Sequence, residues 1–268
     1  MDLKRQPIGI FDSGVGGLTV AHAIKQLMPG ESIVYFGDTA HLPYGDKSAE
    51  LICQYSEKIV EFLLGQNAKM ILIACNSASA SAYDYLQKKF GKDTIILDVI
   101  SPVIEYVSSR NFKKIGVIGT KRTIASGVYE KMIALKSPET KVVSLATPLF
   151  VPMIEEGFIF DDISNQIIRA YLSNQLFEGI EALILGCTHY PIIRNQISKF
   201  FDFRVEIIDS SRVVSSVVRD ILQKNNIQND SRLVNDRFLV SDYTEYFRKI
   251  ARLFFEKEIN LEKTDIWS

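Results

Sequence analysis

Two stretches, MILIACNSA at residues 70–78 and ALILGCTHY at residues 182–190, decide the reading of the fold. Each is an unbroken apolar run that ends in a cysteine and opens into small polar residues. Apolar runs without alternation suit strands covered on both faces, as in a parallel sheet. The two cysteines lie 112 residues apart, since 187 − 75 = 112. Two further pairs keep nearly that spacing. GIFDSGVGG from Gly9 is answered 107 residues on by GVIGTKRT from Gly116, and IVYFGDT from Ile33 is answered 109 residues on by VVSLATP from Val142. Three matches in one order point to two similar α/β halves, related by a pseudo-two-fold.

Working outward, strands are predicted at 7–11, 32–37, 70–74, 94–98, 114–119, 141–145, 182–185 and 204–208. Helices are predicted between them, at 18–27, 48–66, 79–90, 126–133, 163–177 and 211–223. This alternation gives an α/β class with mainly parallel sheets. The chain is expected to cross into the second half near 98–102 and to return near 208–211. The first domain would then comprise 1–98 plus 209–268, including VNDRFLVSDYTEYF at 234–247, and the second 99–208. Ligands of such sheets sit beyond the carboxyl ends of the strands, so the site is expected in the cleft between the halves.

Bulk properties narrow the function. With 268 residues and 47% hydrophobic composition, the chain can bury a sizeable core. Its net charge of −1, from 31 basic and 32 acidic residues, gives no ground for a nucleic-acid or membrane-surface partner. The apolar run after Lys4 and Arg5 ends at Asp12, too short for a signal peptide or a membrane span. A cytoplasmic protein is expected. Three cysteines without CxxC spacing, and three histidines, argue against a disulfide framework and against a structural zinc site.

The chemistry rests on Cys75 and Cys187. A thiol where a strand gives way to a helix faces free N–H groups and the positive end of the helix dipole, which lowers its pKa. Cys53, inside the helical pattern LICQYSEKIVEFL, reads instead as a packing residue. Two thiols opposed across a cleft suit inversion of a stereocentre: one removes a proton from one face and the other supplies a proton to the opposite face. Without a cofactor, positioned donors in a water-excluded cleft must stabilise the carbanion. Asp12 and Ser13 follow the first strand, and Gly14, Gly16 and Gly17 permit a tight turn close to a ligand. Asp12 would hold an amino group or help deprotonate the nearby thiol. His189, two residues after Cys187, is a candidate proton partner. His41 lacks comparable support, and His22 reads as a surface helix residue.

Taken jointly, GIFDSGVGGLTV (9–20), YFGDTAHLPYGDKS (35–48), ACNSASA (74–80), PLFVPMIEEG (148–157) and LGCTHYP (185–191) resemble the glutamate racemase family of peptidoglycan synthesis. The resemblance implies a two-domain racemase fold and a two-base mechanism that uses neither pyridoxal phosphate nor metal. It implies that Cys75 takes the α-proton of D-glutamate and Cys187 that of L-glutamate. Asp12, His189 and one acid of the pair Glu155–Glu156, with Glu155 preferred, would assist. Asp12, Ser13, Tyr44, Gly45, Asn76, Ser77, Thr188 and His189 match substrate contacts, a donor set that fits a dicarboxylate. Ser77 departs from the family's usual threonine but keeps the hydroxyl. Aspartate racemases usually carry glutamate where His189 stands, so glutamate is favoured over aspartate. A homodimer is the expected assembly. A binding protein of this fold would need neither thiol, and a thiol redox protein would be expected to pair its cysteines in one half.

Overall fold

The computed structural model describes residues 2–229 and 234–268. The strands are β1 (Ile8–Asp12), β2 (Ile33–Gly37), β3 (Met70–Ile73), β4 (Ile95–Asp98), β5 (Lys114–Gly119), β6 (Lys141–Ala146), β7 (Ala182–Gly186), β8 (Glu206–Asp209), β9 (Arg237–Val240) and β10 (Leu261–Lys263). The helices are α1 (Leu18–Leu27), α2 (Ala49–Gly65), α3 (Asn76–Phe90), α4 (Ser101–Ser108), α5 (Lys121–Ser126), α6 (Val128–Lys136), α7 (Phe150–Glu155), α8 (Asp162–Leu172), α9 (Arg194–Phe200), α10 (Ser210–Lys224) and α11 (Glu245–Phe255).

These strands form two parallel sheets. The first runs β10-β9-β2-β1-β3-β4 and the second β6-β5-β7-β8. The inner order β2-β1-β3-β4 of the first is repeated strand for strand by the second. The three sequence matches fall on β1/β5, β2/β6 and β3/β7 of that repeat. Apart from the half-buried edge strand β6, the apolar runs are covered on both faces, as their lack of alternation requires. In β1, Ile8 and Ile10 join one apolar cluster and Phe11 a second on the other face. The larger cluster is continuous across the molecule, joining Ile8 and Leu18 to Ile184 and Val214.

Both passages between the sheets begin at an aspartate whose carboxylate accepts backbone N–H groups at the start of the next helix. Asp98 Oδ2 accepts from the Ile100 N–H at 3.0 Å, and Asp209 Oδ1 accepts from the Ser211 N–H at 2.9 Å. Aspartate oxygens satisfy the free N–H groups that a helix start leaves over. Three departures from the predicted elements matter. The helix after Cys75 begins at Asn76 rather than Ser79, with Cys75 itself as its N-cap. The helix predicted at 126–133 is α6, which begins only at Val128, after Gly127 with φ +64°, and the short α5 before that glycine was not predicted. Strands β9 and β10 were not predicted; they extend the first sheet beyond β2, with β10 at its edge.

Candidate active site

The carboxyl ends of the two sheets enclose a cavity of about 270 Å³. Ser13, Tyr44, Gly45, Cys75, Asn76 and Ser77 line it from the first half; Glu155, Cys187, Thr188 and His189 line it from the second. That volume sits at the small end of ligand clefts, about 300–1,000 Å³, and suits a small metabolite better than a dinucleotide.

Cys75 closes β3 and caps α3. Its sulfur accepts from the Ala78 N–H at 3.4 Å and lies 3.5 Å from Ser13 Oγ. The helix start was expected to depress this thiol's pKa. The net direction is the opposite: burial, then the Asp12 charge, push it up to about 12. The Ser13 and Ala78 donors act the other way and are outweighed. Cys75 is only 5% exposed, so the desolvation cost of a thiolate exceeds what one turn of helix returns.

Asp12 stands behind this wall, buried, and is not among the residues that line the cavity. Its Oδ2 accepts from the Gly14 N–H at 3.1 Å, while its buried Oδ1 has no partner among the described residues. Burial raises its pKa, against the nearby His189 and the loop N–H groups of Gly17 and Gly14.

Around Cys187 the environment differs. Its sulfur lies 3.8 Å from His189 Nδ1, and His189 Nε2 lies 2.9 Å from Glu155 Oε1. These three groups form a chain from β7 through the ring to α7. Burial opposes charge on the imidazole, but its bonds to Cys187 and Glu155 prevail and raise its pKa to about 10. Phe254 of α11 holds the ring edge-on at 5.0 Å.

The glycine loop has a packing reason. A Cβ on Gly16 would come within 2.4 Å of His189 Cε1 and 2.6 Å of Thr188 Oγ1, and one on Gly17 within 2.7 Å of the Asp12 Cβ. The loop therefore lets the two halves close on each other. Thr19 Oγ1 donates across the same seam to the Thr188 carbonyl at 2.9 Å.

Several cavity residues were not singled out from the sequence. Thr120 Oγ1 meets Ser77 Oγ at 2.9 Å, a bond between the halves. A signal was present, because the 107-residue offset places Thr120 opposite Ser13 (13 + 107 = 120). Thr147 Oγ1 and the Tyr190 hydroxyl lie 2.7 Å apart in the wall. Tyr129 donates to Asn76 Oδ1 at 2.9 Å, leaving the buried Asn76 Nδ2 without an acceptor among the described residues. His41, set aside above, contacts Asp38 at 2.9 Å, and Asp38 accepts from the Tyr44 hydroxyl at 2.7 Å. Among the described residues no group of three or more His, Cys, Asp or Glu side chains is arranged to hold a metal ion.

With this geometry in place, the comparisons with known proteins are direct. The Asp/Glu/Hydantoin racemase family model matches residues 18–216. The glutamate racemase of Chlorobaculum parvum is 40% identical over 255 residues, 94% of this chain and 93% of that protein. The glutamate racemase of Geobacter metallireducens is 39% identical over 249 residues, 92% of each. The crystal structure of Francisella tularensis glutamate racemase in complex with D-glutamate superposes with a TM-score of 0.92 at 39% identity, covering 98% of this chain and 99% of that one. An aspartate racemase homologue from Pyrococcus horikoshii, at 20% identity and TM-score 0.58, shares the fold. The chain belongs to the Asp/Glu/Hydantoin racemase family and has its two-domain fold.

Proposed function

We propose that the protein is a glutamate racemase that interconverts L- and D-glutamate by proton transfer between Cys75 and Cys187, supplying D-glutamate for peptidoglycan synthesis. The observation that carries this reading is that two cysteines, from equivalent strand ends of two like sheets, line one small cavity. The relatives named above carry the same activity in their names. The division into domains 1–98 plus 209–268 and 99–208 belongs to the same reading.

With L-glutamate, the Cys187 thiolate removes the α-proton and the electron pair stays on Cα. The Cys75 thiol then gives its proton to the opposite face. Cys187 ends as a thiol and Cys75 as a thiolate; D-glutamate reverses both roles. The resting environments favour the first direction. Cys75, pushed up to about 12, holds its proton, while a charged His189 offers Cys187 a counter-charge. Glu155 orients His189, and Asp12 takes up and returns the Cys75 proton through its unpartnered Oδ1. The free Asn76 Nδ2, with the hydroxyls of Ser13, Ser77 and Thr188 and the backbone of Gly45, would receive the substrate carboxylates. Tyr44 lines the same wall.

The test is incubation of metal-stripped protein with L-glutamate in D₂O, without added cofactor, following optical rotation and deuterium at Cα. Loss of rotation with deuterium incorporation supports the reading. A folded, reduced sample inert to both enantiomers refutes it, and activity on aspartate instead would reassign the substrate.

An isologous homodimer is the expected assembly. Exposed Leu149, Phe158, Phe160 and Ile163 on the second half favour a buried partner surface, which sedimentation at two concentrations would reveal. A cytoplasmic location fits a chain in which, among the described residues, no helix is long and apolar enough to cross a membrane.

A further inference from the structure

The C-terminal residues reach back to the cavity wall. After β10, which pairs in parallel with β9, the chain turns at Asp265, whose Oδ1 accepts from the Trp267 N–H at 2.8 Å. That turn lays Trp267, the one tryptophan of the sequence, on the first half. Its ring meets His41 edge-on at 4.6 Å and Tyr55 edge-on at 5.3 Å. His41 stacks on Tyr55 at 4.2 Å, and Tyr55 lies 5.9 Å from Tyr44. Ile266 and Trp267 pack on the same apolar cluster that contains Tyr44 and Cys75. The indole N–H is buried and has no acceptor among the described residues, so stacking and apolar contact hold the ring there.

Two routes lead from this stack to the cavity. Through Tyr55 it supports the ring of Tyr44. Through His41 it fixes Asp38, whose carboxylate accepts from the Tyr44 hydroxyl at 2.7 Å and from Ser241 Oγ at 2.9 Å. Ser241 follows β9. The C-terminal third thus touches Tyr44's supports at both ends, by a hydroxyl on one side and an indole on the other.

We infer that Trp267 is a positioning residue for the substrate: it locks the His41–Tyr55 stack and so holds Tyr44 against the glutamate side chain. The inference rests on the reading of Tyr44 as a substrate contact. A residue that acts through a substrate contact and not through a reacting atom changes binding, so its loss shows in KM and leaves kcat nearly unchanged.

The test compares steady-state constants for both glutamate enantiomers in the parent, W267A, W267F, W267L, Y44A and the double variant Y44A/W267A. W267A is expected to raise KM about twofold to tenfold, the factor carried by loss of one aromatic contact. W267F, which keeps a flat ring, restores KM; W267L, which keeps apolar bulk alone, does not. In the Y44A background W267A adds nothing, because its route to the substrate is already gone. An equal rise in KM in both backgrounds, or an unchanged KM in W267A, overturns the inference. If W267A fails to fold, W267L against W267F decides alone: equal KM values overturn it. Y44A with an unchanged KM instead overturns the reading of Tyr44 as a substrate contact.

Discussion

Replacing Gly16 by alanine adds one methyl group at the seam between the two halves. Its Cβ would stand 2.4 Å from both Cε1 and Nδ1 of His189 and 2.6 Å from Thr188 Oγ1. Ordinary contact needs about 3.5 Å, so the ring must withdraw by about 1 Å or the halves must part by as much. His189 is held on its far side by Glu155 at 2.9 Å and by Phe254, so the ring has little room to yield. Overpacking of this kind costs about 1–3 kcal/mol of stability. A displacement of about 1 Å in a proton-transfer group costs about 100-fold in rate. Because the two enantiomers have equal free energy, kcat/KM must fall by the same factor in both directions. The assay is circular dichroism on L- and on D-glutamate, beside thermal unfolding. Gly14 is the control, because a Cβ there meets only Leu42 Cδ2 at 3.5 Å, an ordinary contact. A folded G16A protein within about threefold of its parent in kcat/KM, or a G14A protein equally impaired, would refute the packing argument.

Cys75→Ser and Cys187→Ser should each fold and each lose racemisation by at least about 100-fold, the usual worth of a general acid or base; full activity in either one sinks the two-thiol mechanism. The His189 pKa rises from its ordinary 6.5 to about 10 in the fold, so the native state binds more protons in that interval. The stability it confers is complete below about pH 6.5 and fades as pH climbs toward 10, so His189→Asn should flatten the decline of the unfolding midpoint across that window. Parallel declines in both proteins would contradict the assignment. Ser77→Ala removes the Ser77–Thr120 bond between the halves, 2.9 Å long. A net loss of about 1 kcal/mol predicts an unfolding midpoint lower by roughly 2–4 °C, and an unmoved midpoint would show that the bond does not hold the halves together.

How much of this was legible in the sequence depended on range. The eight strands that make the repeat announced themselves as apolar runs, and all lie within two residues of their predicted starts. β9 and β10 escaped because they are short, four and three residues, and LEK in the edge strand β10 carries two charges. The short α7 was hidden by Pro152, although it delivers Glu155. The start of α3 was misplaced because NSAS reads as a turn, whereas a sulfur served as its cap. Cys75, Cys187 and His189 were visible through local motifs. The support of Tyr44 was not: it joins Asp38 to Ser241, 203 positions apart, and His41 to Trp267, pairings that no spacing rule connects.

The repeated strand order also bears on ancestry. A half-length chain with one thiol at the end of its third strand would, paired with its own copy, have offered two facing sulfurs in one cleft. Fusion of two such genes would free each copy to drift. Here one sulfur has come to sit before a buried carboxylate and the other beside an imidazole, while the strand order of both sheets stays the same. The lineage would have kept the architecture that places the sulfurs and let the groups around them diverge.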